Sequence, residues 1–131
     1  MWTGDNLASY EHMRMSVPML LSSSIAGMPF CGADVGGFFK NPSNALLARW
    51  YQLGALQPFF RAHAHIETAR REPYLLDEEH LAIVRAALYT RYRLLPYIYS
   101  LFYQSTVDGS PLVRPTWYEY PRNRAVIREE E

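Results

Sequence analysis

Residues 28–34 read Met-Pro-Phe-Cys-Gly-Ala-Asp, and the residues that follow at 35–38 read Val-Gly-Gly-Phe. A short apolar run bounded by turn residues is typical of a buried strand. The two adjacent glycines predict a loop in which the backbone can approach a ligand closely. This stretch therefore places an acid, Asp34, at the point where a buried strand ends.

Similar stretches lie on both sides of this strand. Residues 2–6, Trp-Thr-Gly-Asp-Asn, look like the end of one strand, and residues 57–63, Gln-Pro-Phe-Phe-Arg-Ala-His, look like another short strand. Helices are expected between them, over residues 9–24 and from a cap at Asn41 to Gly54. A longer helix is expected from Glu78 to Val107. This alternation predicts βα units with a parallel sheet.

Polar side chains occur where the expected strands end: Asp5, Asp34, and then Arg61 with His63. In a (β/α)8 TIM barrel the active site lies at the carboxyl ends of the strands. The expected fold class is therefore α/β, with three βα units of a (β/α)8 TIM barrel. Three units cannot close an eight-stranded barrel, so we expect the chain to be part of a larger protein.

Three regions are expected along the chain. Residues 1–110 form the partial barrel, and residues 111–121, which are extended and aromatic, are expected to form a strand that begins another layer. Residues 122–131 form a divergent, charged and frayed tail.

Composition excludes several classes of protein. Of the 131 residues, 49% are apolar and 15% aromatic, which is typical of a folded domain with a core. Thirteen basic residues balance thirteen acidic ones, which argues against a nucleic-acid partner. No apolar run reaches the roughly 18 residues that a membrane span needs. Cys31 is the single cysteine, which excludes an intramolecular disulfide and a cysteine-cluster metal site.

The candidate site residues near the two acids each have two interpretations. Asp5 is either a turn or helix-capping aspartate, or the general acid/base of glycoside hydrolysis, which protonates the leaving oxygen. Asp34 either shapes its loop or accepts hydrogen bonds from sugar hydroxyls. Trp2 and Phe38 are either core residues or aromatic walls of a cleft.

Arg61 and His63 are two residues apart, so they lie on the same face of a strand. A buried arginine needs a partner, and a carboxylate is the expected one. His65 extends the row, so a metal-dependent hydrolase with zinc on His63 and His65 is an alternative. Its further ligands would be His12, His80 or acids, none of which has the spacing of a metal motif.

Five segments taken together resemble glycoside hydrolase family 31, the family of the α-glucosidases. They are Trp-Thr-Gly-Asp-Asn at 2–6, Phe-Cys-Gly-Ala-Asp-Val-Gly-Gly-Phe at 30–38, Arg-Trp-Tyr-Gln-Leu-Gly-Ala at 49–55, Gln-Pro-Phe-Phe-Arg-Ala-His-Ala-His at 57–65 and Arg-Tyr-Arg-Leu-Leu-Pro-Tyr at 91–97. The resemblance runs from Trp2 to about Pro121. It implies that the chain holds about the last three βα units of the barrel and the start of a following β-sandwich domain. With Arg-Arg-Glu-Pro at 70–73, it is nearest to members that trim glucose from N-glycans in the endoplasmic reticulum.

The resemblance implies a retaining hydrolase of terminal α-linked glucose that needs no cofactor and no metal. It further implies an oligosaccharide or glycan substrate, a location in the endoplasmic reticulum, and a β-subunit as partner of the parent enzyme. Asp5 would be the acid/base. The residues that would line the pocket for the released glucose are Trp2, Asp34, Phe38, Arg61 and His63.

The resemblance also implies a second carboxylate, the nucleophile, in a Trp-x-Asp-Met-Asn-type segment. The chain contains no such segment. We expect that segment to lie upstream of Met1 in a longer parent, and the chain alone to be inactive. The alternative is a non-catalytic interaction or regulatory remnant whose exposed barrel edges dock on a full-length subunit.

Overall fold

The computed structural model describes residues 1–127, in which three extended segments alternate with helices. The first segment is residues 1–7, the second is residues 30–35 and the third is residues 59–61. The helices of this part are α1 (Tyr10–Ile25), α2 (Asn44–Gly54), α3 (Glu78–Asp108), α4 (Thr116–Glu119) and α5 (Arg124–Ile127), with a 3₁₀ turn at Pro73–Leu75.

The second segment lies between the other two and pairs with both in parallel. Bridges join Trp2 to Gly32 and Asp34 to Arg61. The Thr3 amide donates to the Gly32 carbonyl at 3.0 Å. Parallel pairing across intervening helices confirms the predicted order of βα units.

The extended segments are shorter than the predicted strands. Each pairing is an isolated bridge, and within residues 1–127 no continuous strand forms. The Ala33 amide donates to Gln57 Oε1 at 2.9 Å, so a side chain takes the place of a neighbouring backbone carbonyl. After Val35 the chain enters the left-handed region, with φ of 93° at Gly36 and 83° at Gly37, which ends the extended backbone.

Helices α1 and α3 confirm the predictions to within one residue at each end. Ser9 Oγ caps α1 by accepting from the His12 amide, and Asp77 caps α3 by accepting from the His80 amide. Gly109, with φ of 76°, ends α3 in the left-handed conformation expected of a helix terminus. Neither α3 nor any other helix in the described part of the chain is long and apolar enough to cross a membrane.

Helix α2 begins later than predicted. Its cap is Ser43, whose Oγ accepts from the Leu46 amide at 3.2 Å. Asn41 is not the cap, because its Oδ1 accepts from the Ala69 amide at 2.8 Å. A contact with a distant loop therefore removes Asn41 from the helix start.

The core forms where α2 packs between the second segment and α3. Trp50 and Val84 are completely buried, as is Val35 at the end of the second segment. The other buried members of this cluster are Leu46, Leu47, Ala48 and Tyr51. Met13 from α1 and Phe60 from the third segment pack against its edge. Burying these apolar side chains fixes α2 directly behind the Asp34 end of the second segment.

The predicted strand over residues 111–121 is wrong, because residues 116–119 form helix α4. Arg114 Nε pairs with Glu119 Oε1, and Arg114 Cζ lies 5.6 Å from the centre of the Tyr118 ring. A helical turn brings these residues together, whereas a strand would spread them apart. Residues 124–127 of the predicted frayed tail form α5, and residues 128–131 lie outside the described part.

Candidate active site

The candidate site is organised around an ion pair between the second and third segments. Asp34 is completely buried, and its Oδ1 accepts from Arg61 Nη2 at 2.7 Å and from Arg61 Nε at 3.2 Å. The prediction that Arg61 needs a carboxylate partner is confirmed. The second oxygen, Oδ2, is also buried and has no hydrogen-bond partner among residues 1–127. One acceptor of this carboxylate is thus buried without a donor in the described part of the chain.

Trp2 completes a cluster that spans all three segments. The guanidinium carbon of Arg61 lies 5.1 Å from the ring centre of Trp2 and equally far from that of Phe59, within the range of a cation–π contact. The Trp2 side chain remains 46% exposed, so much of the indole is open to solvent. The cluster therefore presents an open aromatic surface beside a cation that Asp34 holds in place.

Phe38 and His63 form a second cluster next to the first. Their ring centres are 5.5 Å apart, and their planes differ by 34°. The Phe38 amide donates to the Asn6 carbonyl at 2.7 Å, and the His65 amide donates to the Phe38 carbonyl at 3.0 Å. These bonds tie the loop after Asp34 to the end of the first segment and to the residues after the third.

Asp5 lies on an exposed bend between Gly4 and the buried Asn6. Gly4 has φ of 84°, a conformation that favours glycine. Thr3 Oγ1 donates to Asn6 Oδ1 at 3.1 Å, so Asn6 rather than Asp5 makes the local side-chain contact. Among the described residues the Asp5 carboxylate has no hydrogen-bond or ion-pair partner. The bend is thus anchored by its neighbours, and the Asp5 side chain is exposed on it.

The histidines considered for zinc do not converge. His63 and His65 both lie against the Phe38 ring. His12 Nδ1 accepts from the Leu7 amide at 3.1 Å, and His80 contacts the cap of α3. Within residues 1–127 no group of three or more His, Cys, Asp or Glu side chains is arranged to hold a metal ion.

Arg71 is a site-adjacent residue that the sequence analysis does not include among the candidate site residues, although it lies in the Arg-Arg-Glu-Pro stretch at 70–73. Its guanidinium donates to the carbonyls of Gly36 at 2.9 Å and His63 at 2.8 Å, and also to that of Gly37. Burial lowers the pKa of Arg71, and the neighbouring Tyr51 and Asp34 oppose that shift. No feature of the sequence separates Arg71 from the adjacent Arg70, so only the fold identifies it.

Removal of Arg61 is expected to destabilise the chain more than removal of the whole ion pair. Arg61→Met leaves a fully buried carboxylate without its partner, which costs about 3 kcal/mol. Adding Asp34→Asn removes the unpaired buried charge and recovers part of the lost stability. Urea denaturation of both variants and of Asp34→Asn alone measures the coupling. If the double variant loses the sum of the two single losses, the ion pair does not couple the two segments.

Known proteins share both the sequence and the fold of this chain. The model of the glycosyl hydrolases family 31 TIM-barrel domain matches residues 1–101. The neutral alpha-glucosidase AB of Mus musculus is 55% identical over 130 residues, which is 99% of this chain and 14% of the relative. A family 31 alpha-glucosidase from Bacteroides thetaiotaomicron superposes with a TM-score of 0.92 at 41% identity, covering 99% of this chain and 22% of that structure.

Crystal structures of the glucosidase II alpha subunit superpose with a TM-score of 0.95 at 54% identity, covering 97% of this chain and 14% of theirs. One holds Glc1Man2, and another is an ER glucosidase II heterodimer of catalytic subunit and the binding domain of the regulatory subunit. The chain thus spans about a seventh of the length of these relatives. These matches confirm the prediction of a partial TIM barrel, and the chain belongs to glycoside hydrolase family 31.

Proposed function

We propose that this chain carries the acid/base half of the active site of a retaining α-glucosidase. In the intact enzyme, Asp5 would protonate the leaving oxygen of a terminal α-linked glucose and then deprotonate the attacking water. The observation that carries the proposal is the free Asp5 carboxylate on an anchored bend. Asp5 follows Trp2 by three residues, and the amide of Phe38, four residues after Asp34, donates to the carbonyl of the adjacent Asn6 at 2.7 Å.

The surrounding side chains supply what a glucose pocket needs, an apolar wall with a few placed polar groups. Trp2 and Phe38 offer aromatic surface, and Arg61 and His63 offer nitrogen atoms on partly exposed side chains. The unpaired Asp34 Oδ2 is an acceptor for a hydroxyl once the cluster opens to a ligand. We assign the binding of the released glucose to these five residues.

The proposed chemistry needs a nucleophile that these 131 residues do not supply. Retention requires two carboxyl groups about 5–5.5 Å apart. Asp34 is not assigned this role, because the segment around it resembles a substrate-contacting segment of the family and not the segment of the nucleophile. The nucleophile is therefore assigned to another part of the parent protein, and neither a metal nor a cofactor takes part.

The isolated 131-residue chain is expected to be inactive. A general acid alone contributes only about 10²–10⁴-fold, and without a nucleophile no glycosyl-enzyme intermediate forms. Release of 4-nitrophenol from its α-glucoside by the purified chain measures this. Turnover that disappears in Asp5→Asn would refute the inactivity.

A chimera tests the acid/base assignment. The matching 130-residue region of the mouse neutral alpha-glucosidase AB is replaced by this chain, which is 55% identical to it. If this chain carries the acid/base half, the chimera hydrolyses α-glucosides and its activity depends on Asp5. A folded chimera whose activity is indifferent to Asp5→Asn would end the proposal.

The substrate, partner and location of the parent are proposed from its relatives. We infer glucose trimming of N-glycans in the endoplasmic reticulum, because glucosidase II is similar over 97% of this chain and one of its structures holds Glc1Man2. By the same similarity the parent would bind a glucosidase II β-subunit. Residues 1–110 would be its partial barrel, residues 111–121 the start of its C-terminal β domain and residues 122–131 a divergent charged tail.

A non-catalytic interaction role is the second candidate function. It is favoured by exposed tyrosines on α3, of which Tyr92, Tyr99 and Tyr103 are each at least 69% exposed. Such a surface fits docking on a full-length subunit. Pull-down of the intact mouse relative by this chain separates the two functions, and repeated failure to associate would remove the second.

A further inference from the structure

We propose that Arg71 is a positioning residue that holds the two halves of the glucose pocket in register. Its guanidinium joins the loop after Asp34, which carries Phe38, to the residues after the third segment, which include His63. The inference rests on the proposed function, because that function makes Phe38 and His63 pocket residues. Arg71 itself is not proposed to touch the sugar.

The geometry suits an arginine in particular. One terminal nitrogen, Nη1, donates to the Gly36 carbonyl at 2.9 Å, and the other, Nη2, donates to the His63 carbonyl at 2.8 Å and to the Gly37 carbonyl. A planar guanidinium offers several donors in a fixed arrangement, whereas a lysine offers one compact charge. A Cβ at Gly36 would lie 3.0 Å from Arg71 Nη1, so the glycine permits the close approach.

The loop needs this support because its backbone has left the parallel pairing. The last bond between the second and third segments runs from the Val35 amide to the Arg61 carbonyl at 3.0 Å. Beyond it, Gly36 and Gly37 adopt left-handed backbone conformations that turn their carbonyls out of that pairing. Buried carbonyls without donors are costly, and the half-buried Arg71 supplies the donors.

The neighbouring arginine provides a matched control. Arg70 donates to Glu72 Oε1 at 2.8 Å and to Tyr74 Oη at 2.6 Å, and its side chain is 73% exposed. These contacts stay within residues 70–74 and reach neither half of the pocket. Replacement of Arg70 or Arg71 by methionine therefore removes the same chemical group from adjacent positions with different expected consequences.

Amide hydrogen exchange of the 131-residue chain, followed by NMR, tests the inference without a substrate. Arg71→Met is expected to lower protection roughly tenfold or more at the Gly37, Phe38 and His65 amides, because charge-assisted hydrogen bonds stabilise this loop. The amides of α2 and α3 should keep their protection. Arg70→Met should leave all of them unchanged, and Arg71→Lys should fall between Arg71→Met and the unaltered chain.

Two exchange results would overturn the proposal. Unchanged protection in the loop would mean that Arg71 does not hold it. An equal loss across α2 and α3 would mean that Arg71 stabilises the whole fold and has no local positioning role.

The chimera adds a kinetic readout. There, Arg71→Met is expected to raise KM for 4-nitrophenyl α-glucoside roughly tenfold while kcat changes less, and Arg70→Met should alter neither. Equal KM values in the two variants would overturn the pocket role. Failure of the proposed function would appear separately, as disaccharide hydrolysis that Asp5→Asn leaves unchanged, and would leave the exchange result intact.

Discussion

Asp5→Asn in the chimera is expected to lower kcat/KM by about 10²–10⁴-fold for a disaccharide with a terminal α-linked glucose. Asparagine keeps the size of the side chain and cannot deliver a proton to the leaving oxygen. The bend should survive, because Gly4, Thr3 and Asn6 make its contacts while the Asp5 carboxylate stands free. Initial rates at saturating and subsaturating substrate provide the measurement.

The leaving group supplies the control for this prediction. A 4-nitrophenolate needs less protonation than a sugar alkoxide, so Asp5→Asn should lose less kcat/KM on 4-nitrophenyl α-glucoside than on the disaccharide. Glu11→Gln makes the same carboxylate-to-amide change at an exposed position in the first turn of α1 and should leave both rates unchanged. Equal losses on the two substrates would contradict a general-acid role.

Gly32→Ala is expected to destabilise the chain by at least about 3 kcal/mol. A Cβ at Gly32 would lie 1.8 Å from the Phe59 carbonyl oxygen and 2.9 Å from its carbonyl carbon. Both atoms belong to the backbone of the third segment, so no side chain can rotate away to make room. The second and third segments would have to separate, and the Asp34–Arg61 ion pair would weaken with them.

Gly27→Ala separates this clash from the general effect of removing a glycine. Gly27 has φ of 87°, and a Cβ there would meet nothing within 4 Å. Its replacement should cost only the strain of a left-handed alanine, about 1–2 kcal/mol. Urea denaturation followed by circular dichroism compares the two. A loss for Gly32→Ala no larger than that for Gly27→Ala would show that the segments tolerate separation.

The helix ends differ in whether neighbouring residues or a distant contact determine them. Asp77 and Gly109 bound α3 through contacts within a few residues, so the sequence places both ends correctly. The start of α2 is different, because Asn41 and Ser43 are both good capping residues and lie two positions apart. The contact of Asn41 with the Ala69 amide, 28 residues away, decides between them. No local pattern carries that information.

The structure of residues 111–121 also differs from the prediction. Prolines and aromatic residues favour extended backbone, which is why a strand was expected there. The pairing of Arg114 with Glu119 and its contact with Tyr118 instead favour a helical turn. These side-chain contacts accompany the helical turn at residues 116–119.

By itself, the sequence determined the order of βα units, the ends of α1 and α3 and the family, because caps, turn glycines and motif order act over a few residues. It also placed an acid or a base at each segment end. Only the tertiary structure decided that Asp34 is the carboxylate that holds Arg61, 27 residues away, and that Arg71 rather than Arg70 joins the two loops. The physical reason is burial. The strength of a charge–charge or charge–carbonyl contact depends on how far distant segments exclude water around it, and folding alone brings those segments together.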